Sequence, residues 1–193
     1  MTERTLRTAR LAMRTWRDED AARLAELHAS PEMMRFLGGP MSRADCDAML
    51  ARMRAHWEAR ELGAWALTLR DTGELVGLAG IVVPRFETRF TPCVEILWRL
   101  APAQWGRGLV TEAARAALDD GFDRLAFDEV LAFTVAQNER SWRVMDRLGM
   151  TRDPADDFDH PLVEEGSPLK RHMVYRVARA AWIASRASRA SRE

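Results

Sequence analysis

The stretch from Cys93 to Phe122 constrains this chain more than any other. Cys93 to Leu100 reads as a strand, and Thr111 to Phe122 spaces Ala114, Ala117 and Leu118 as a helix does. The loop between them holds Gly106 and Gly108. A strand feeding a helix this way leaves the N–H groups of the first helical turn without partners. They point one way, and the helix dipole adds positive charge there. Glycines let the backbone approach a bulky anion. The junction is therefore a candidate phosphate-binding turn, although a plain tight turn also fits these residues. It lacks the Gly-Lys-Ser/Thr ending of a nucleotide-triphosphate loop and the third glycine of a dinucleotide fingerprint, which points away from ATP and NAD.

The remaining elements interleave. Leu6–Trp16 reads as a strand, and Asp18 is placed to cap a helix carrying Leu24, Leu27 and His28, which ends before Ser30-Pro31. Ser42 caps a longer helix with Met49, Leu50, Met53 and Trp57 on its apolar face, ended by Gly63. Ala64–Leu69 and Leu75–Val83 form a hairpin around Asp71-Thr72-Gly73. Val130–Val135 is a continuous apolar run, as in a buried strand. Ser141–Leu148 is a short helix stopped by Gly149, and His172–Val177 is a last strand. This order predicts one mixed α/β domain over residues 1–180. The Ala-Ser-Arg triplets of residues 181–193 show no apolar stripe and predict a frayed tail.

Composition narrows the partners. With 29 basic and 29 acidic residues the formal charge is zero, so no basic surplus favours nucleic acid or a membrane surface. Cys46 and Cys93 stand far apart without a metal-ligand pattern, so neither a disulfide framework nor a metal is expected. No segment has signal-peptide or membrane-span character, which predicts a cytoplasmic protein, monomer or homodimer.

A second motif follows about thirty residues after the first: Asn138-Glu139-Arg140-Ser141-Trp142-Arg143-Val144-Met145-Asp146-Arg147-Leu148-Gly149-Met150. Together with Gln104-Trp105-Gly106-Arg107-Gly108-Leu109-Val110-Thr111-Glu112-Ala113, it resembles the GNAT superfamily of N-acetyltransferases, RimJ/RimL-type branch. The opening Leu11–Arg14 and Asp18–Ala21, Met34–Pro40, and Asp157–Pro161 before Leu169–Tyr175 resemble that branch too. The resemblance implies a mixed, mostly antiparallel sheet of about seven strands flanked by about four helices, with one splayed strand pair. It implies acetyl-CoA as cosubstrate and transfer to a primary amine, on a peptide N-terminus or a small molecule.

By that resemblance, backbone amides from Gly106 through Arg107, Gly108, Leu109 and Val110 to Thr111 hold the CoA pyrophosphate, and Gln104 and Trp105 belong to the same cofactor site. Trp98, Arg99 and Leu100 pair the pantetheine arm through their backbone, Asn138 bonds the cofactor, and Arg143 reaches its phosphates. The family often has tyrosine, the acid for the departing thiolate, where this chain has Met145; Ser141 is then the proposed donor, a helix N-cap being its other reading. Val110 is bulkier than the usual Gly or Ala. Glu95, on the strand beside the thioester, is the leading base; a structural acid is the alternative. His160 is a second base candidate, and with Asp159 it lies in an acidic run suited to a cationic acceptor or simply to solvent. Glu112 reads as a first-turn helix acid. A competing class is a non-catalytic acyl-CoA-binding domain, favoured by Met145 and opposed by Glu95, Asn138 and Ser141.

Overall fold

The first segment does not run straight. It breaks at Thr8–Arg10 into a hairpin of β1 (Thr5–Arg7) and β2 (Leu11–Arg14), closed by Thr8 N–H donating to Leu11 O at 2.9 Å. The computed structural model describes residues 4–190. The helices α1 (Asp20–His28), α2 (Pro31–Met34) and α3 (Arg43–Arg60) follow. Ser42 caps α3 as expected, its hydroxyl oxygen accepting from Asp45 N–H. Asp18 does not cap α1; Glu19 holds that position without a side-chain bond, and Asp18 pairs with Arg54 of α3.

Strands β3 (Ala64–Leu69), β4 (Leu75–Val82) and β5 (Glu95–Leu100) form an antiparallel meander. The chain then builds α4 (Leu109–Arg124), β6 (Glu129–Thr134), α5 (Glu139–Arg147), two short strands β7 (Thr151–Arg152) and β8 (Phe158–Asp159), β9 (Arg171–Ala178) and α6 (Arg179–Ala190). The sheet order is β1-β2-β3-β4-β5-β6-β9-β7, with β8 also on β9, and the β5–β6 pair alone is parallel. There are nine described strands rather than about seven, because the N-terminal segment splits and β9 gathers two short partners.

Helices cover both faces. On one, α4 packs closely enough that a Cβ at Gly121 would lie 2.4 Å from Ile81. The other carries α1 and α3, with Met49 against the Arg99 guanidinium. The tail is a correction: residues 179–190 are helical, not frayed. Trp182 is fully buried against Phe122, and its indole N–H donates to Asp119 at 2.8 Å. Arg186 pairs with Asp119 and Asp123 of α4. One large apolar side chain and matched charges anchor a repeat that has no stripe of its own. Residues 191–193 lie outside the described ones.

Candidate active site

Gly106 and Gly108 both take left-handed backbone, φ +76° and +75°, which glycine adopts without strain. Gly108 is the N-cap of α4, and a Cβ at Gly106 would meet nothing within 4 Å. The helix ladder opens with Glu112 N–H donating to Gly108 O at 3.1 Å. Ahead of it, the N–H groups of Leu109, Val110 and Thr111 find no acceptor among the described residues. The junction thus presents an open cradle of donors at a helix N-terminus.

Residues invisible as site candidates in the sequence hold this cradle in place. The Arg10 guanidinium donates to Arg107 O and to Glu112, both at 2.7 Å. Glu112 also accepts from Thr8 Oγ1 at 2.5 Å and Arg10 N–H at 2.8 Å. Burial would push the Glu112 carboxyl up, but these bonds outweigh it and hold it below its ordinary value. Glu112 is therefore a strut, as its helix position suggested. Trp105 donates its indole N–H to Leu100 O at 2.8 Å, and the Arg140 guanidinium of α5 lies 4.3 Å over its ring. The two sequence motifs meet through that contact. Arg107 bonds Gln104, and a cleft of about 790 Å³ opens beside the turn, lined in part by Arg10, Gly108, Thr111, Arg115 and Arg147.

The neighbouring strands splay. β5 and β6 share one register pair, Glu95 with Leu131, beside the bond from Leu131 N–H to Val94 O at 3.0 Å. Backbone groups alternate along a strand. Ala101 N–H bonds Val76 O on β4, so Glu95, Leu97 and Arg99 face β4, while Ile96, Trp98 and Leu100 face the gap. This corrects the Arg99 expectation: its backbone belongs to the β4 ladder and its side chain to the opposite face from α4. The parallel rung spends Ile96 N–H on Leu131 O and Leu100 O is taken by Trp105, which leaves the Ile96 carbonyl and the Trp98 backbone open.

On α5, Asn138 holds the N-cap position with its carbonyl accepting from Ser141 N–H at 3.0 Å. Ser141 is therefore the third helical residue, not the cap, and its hydroxyl has no bond among the described residues. Arg143 is exposed and pairs with Glu139 at 2.9 Å. Met145 is 1% exposed, in the core.

Cys93, Glu95, Leu97 and Arg99 share the face under α1 and α3. Burial pushes the Glu95 carboxyl up to about 8, against the Arg99 charge that favours ionisation. Toward β6, the same face carries a ring cluster of Phe86, Phe90, Phe133 and Phe158. His160 packs on Phe86 at 4.3 Å, and its Nδ1 accepts from Leu162 N–H. Burial, His172 and Lys170 together pull it down to about 4, so its ring is neutral at pH 7 and a weak base. Four acids of the run are matched: Asp156 pairs with Arg89 and Arg176, Asp157 with Arg152, Asp159 with Arg171, Glu165 with Lys170. It offers a cationic acceptor little unspent charge.

A family model of the acetyltransferase (GNAT) domain matches residues 10–151. The chain belongs to the GNAT acetyltransferase family. It is an N-acetyltransferase. YkkB of Bacillus subtilis is 32% identical over 149 residues, 74% of this chain and 83% of that protein. An acetyltransferase structure from Agrobacterium tumefaciens superposes with TM-score 0.73 at 30% identity, covering 92% of this chain and 95% of that one. The FsC-acetyl coenzyme A-N(2)-transacetylase of Aspergillus fumigatus is 27% identical over 190 residues, 93% of this chain and 78% of that one. Among the described residues, no helix is long and apolar enough to cross a membrane, and no three His, Cys, Asp or Glu side chains group to hold a metal.

Proposed function

We propose that this GNAT enzyme, of the RimJ/RimL-type branch, transfers the acetyl group of acetyl-CoA to a primary amine by direct attack in a ternary complex. The observation that carries this is Glu95: a carboxyl raised to about 8, at the vertex where β5 parts from β6. A general base works best with a pKa near the operating pH. The chain's residues fit the cofactor. The Gly106–Thr111 cradle suits a pyrophosphate, and the open Trp98 edge suits an extended amide arm. The relative named as an acetyl coenzyme A transacetylase supports the same donor.

Acetyl-CoA, when bound, supplies an acyl group activated as a thioester. Glu95 takes the proton from the attacking amine, directly or through one water. An N–H on the open β5 edge orients the thioester carbonyl and stabilises developing negative charge there. The unspent Ser141 hydroxyl donates toward the departing sulfur. Burial pushes the Cys93 thiol up, which disfavours the thiolate that an acyl-cysteine would need, and direct attack is the proposed route. The acceptor side comprises α1, α3 and the segments 84–92 and 153–168.

A thiol-release assay with acetyl-CoA and a panel of peptides, amino acids, polyamines and aminoglycosides tests this, with thermal stabilisation by CoA measured in parallel. Turnover with one amine class is the expected result. No stabilisation by CoA would sink the cradle assignment; stabilisation without turnover on any amine would sink the acceptor chemistry.

A further inference from the structure

The Arg99 side chain is unspent. It lies on the same face of β5 as Glu95, four residues along, roughly 13 Å between Cα atoms at the rise of a strand. Its guanidinium donates to Met49 Sδ at 3.4 Å, a weak acceptor, and no carboxylate among the described residues lies within ion-pairing distance. Other half-buried arginines are matched: Arg14 with Asp20, Arg124 with Asp120, Arg152 with Asp157, Arg176 with Asp156. The charge of Arg99 is felt by Glu95 on its own strand, by His28 on α1 and by Cys46 on α3. His28 is buried. Its Nδ1 contacts Leu24 O at 2.9 Å, and its Nε2 has no partner. A cation and a ring nitrogen are thus left unsatisfied between the sheet and α1–α3. Burying a charge without a partner is costly, so such a group is a strong candidate for a ligand's counter-charge.

We propose that Arg99 receives a carboxylate on the acceptor, so that the substrate is a primary amine bearing a carboxylate. This rests on the reading of Glu95 as the base. The amine is held near the strand vertex and the carboxylate near the α1–α3 crevice. The largely matched acidic run agrees with it, because most of its charge is spent while the Arg99 cation is not.

The test uses CoA-loaded protein and pairs of ω-amino acids with their amides, the chain lengthened stepwise as a ruler of amine-to-carboxylate distance. Thermal stabilisation reads binding without turnover. The expected result is that one carboxylate length stabilises the protein more than its amide, and that Arg99→Gln abolishes this difference while keeping the CoA shift. Arg99→Lys restores part of it and serves where Arg99→Gln fails to fold. In turnover, Arg99→Gln raises KM for the carboxylate amine about tenfold or more, the loss of a charge-assisted contact, and leaves KM for the amide unmoved. Amides that stabilise the protein as well as carboxylates, or variants that move both alike, overturn the proposal. A carboxylate-dependent shift without transfer to any amine overturns the role of Glu95 and leaves the Arg99 contact standing.

Discussion

Glu95→Gln is expected to make the protein more stable and less active, and the gain in stability to depend on pH. The substitution keeps the shape and removes one ionisation. The carboxyl ionises near 4.5 outside the fold and near 8 within it. Below pH 4.5 both states hold the proton and nothing is lost. Above it the unfolded chain releases the proton first, and each pH unit costs the native state about 1.4 kcal/mol. The cost is about 3 kcal/mol at pH 7 and levels off near 5 kcal/mol above pH 8. The glutamine variant escapes it. At about 2–4 °C per kcal/mol for a chain of this size, its melting midpoint at pH 7 lies roughly 6–12 °C above the parent's. At pH 4.5 ionisation contributes almost nothing to the difference. Turnover falls by about 10²–10⁴, and kcat/KM of the parent rises with pH through about 8. Thermal melts of both proteins at pH 4.5, 6, 7 and 9, with thiol release at each, give the answer. A stability difference that stays constant across this range would show that Glu95 is not held neutral, and the base assignment would lose its physical ground.

Four further outcomes are expected. Ser141→Ala lowers kcat about tenfold or more and leaves the CoA thermal shift intact; an equal loss of CoA stabilisation would make Ser141 a binding residue instead. Gly108→Val forces a β-branched residue to φ +75°, so CoA stabilisation disappears while the fold persists; an unchanged CoA affinity by calorimetry would refute the cradle. Trp182→Ala removes a fully buried indole and costs about 3–5 kcal/mol by urea melts; an unmoved midpoint would mean α6 does not pack on α4. Gly80→Ala puts a Cβ 2.2 Å from the Gly63 carbonyl oxygen and destabilises by about 1–3 kcal/mol, which thermal unfolding would register as a lower midpoint.

What the sequence disclosed was local. The strand, Gly-x-Gly turn and helix of residues 93–124 rest on conformational freedom and dipole geometry that neighbours in sequence determine. The apolar run at 130–135 and the Ser42 cap are legible for the same reason. What stayed hidden depends on register and distance. Arg99 looked like a backbone contact until its pairing with Leu78 settled which side of β5 it uses. Arg10 carries no motif, yet a break at Thr8–Arg10 brings it against Glu112, about a hundred residues on. The acidic run seemed able to draw a cation, but its arginine partners come from other segments, such as Arg89 and Arg176. Trp182 sat among Ala, Ser and Arg, and one side chain is too little to make a periodic pattern.

The single rung between β5 and β6 has a mechanical consequence. Hydrogen-bonded continuity across the sheet passes through one residue pair, so β1–β5 and β6–β9 are two plates joined at a corner, with α4 spanning one side. On the proposed reading, an extended amide arm laid along the Trp98 edge would act as a removable strand. Each catalytic cycle would then begin by finishing the architecture and end by undoing it, and the stiffness of the molecule would be a property of the complex rather than of the chain.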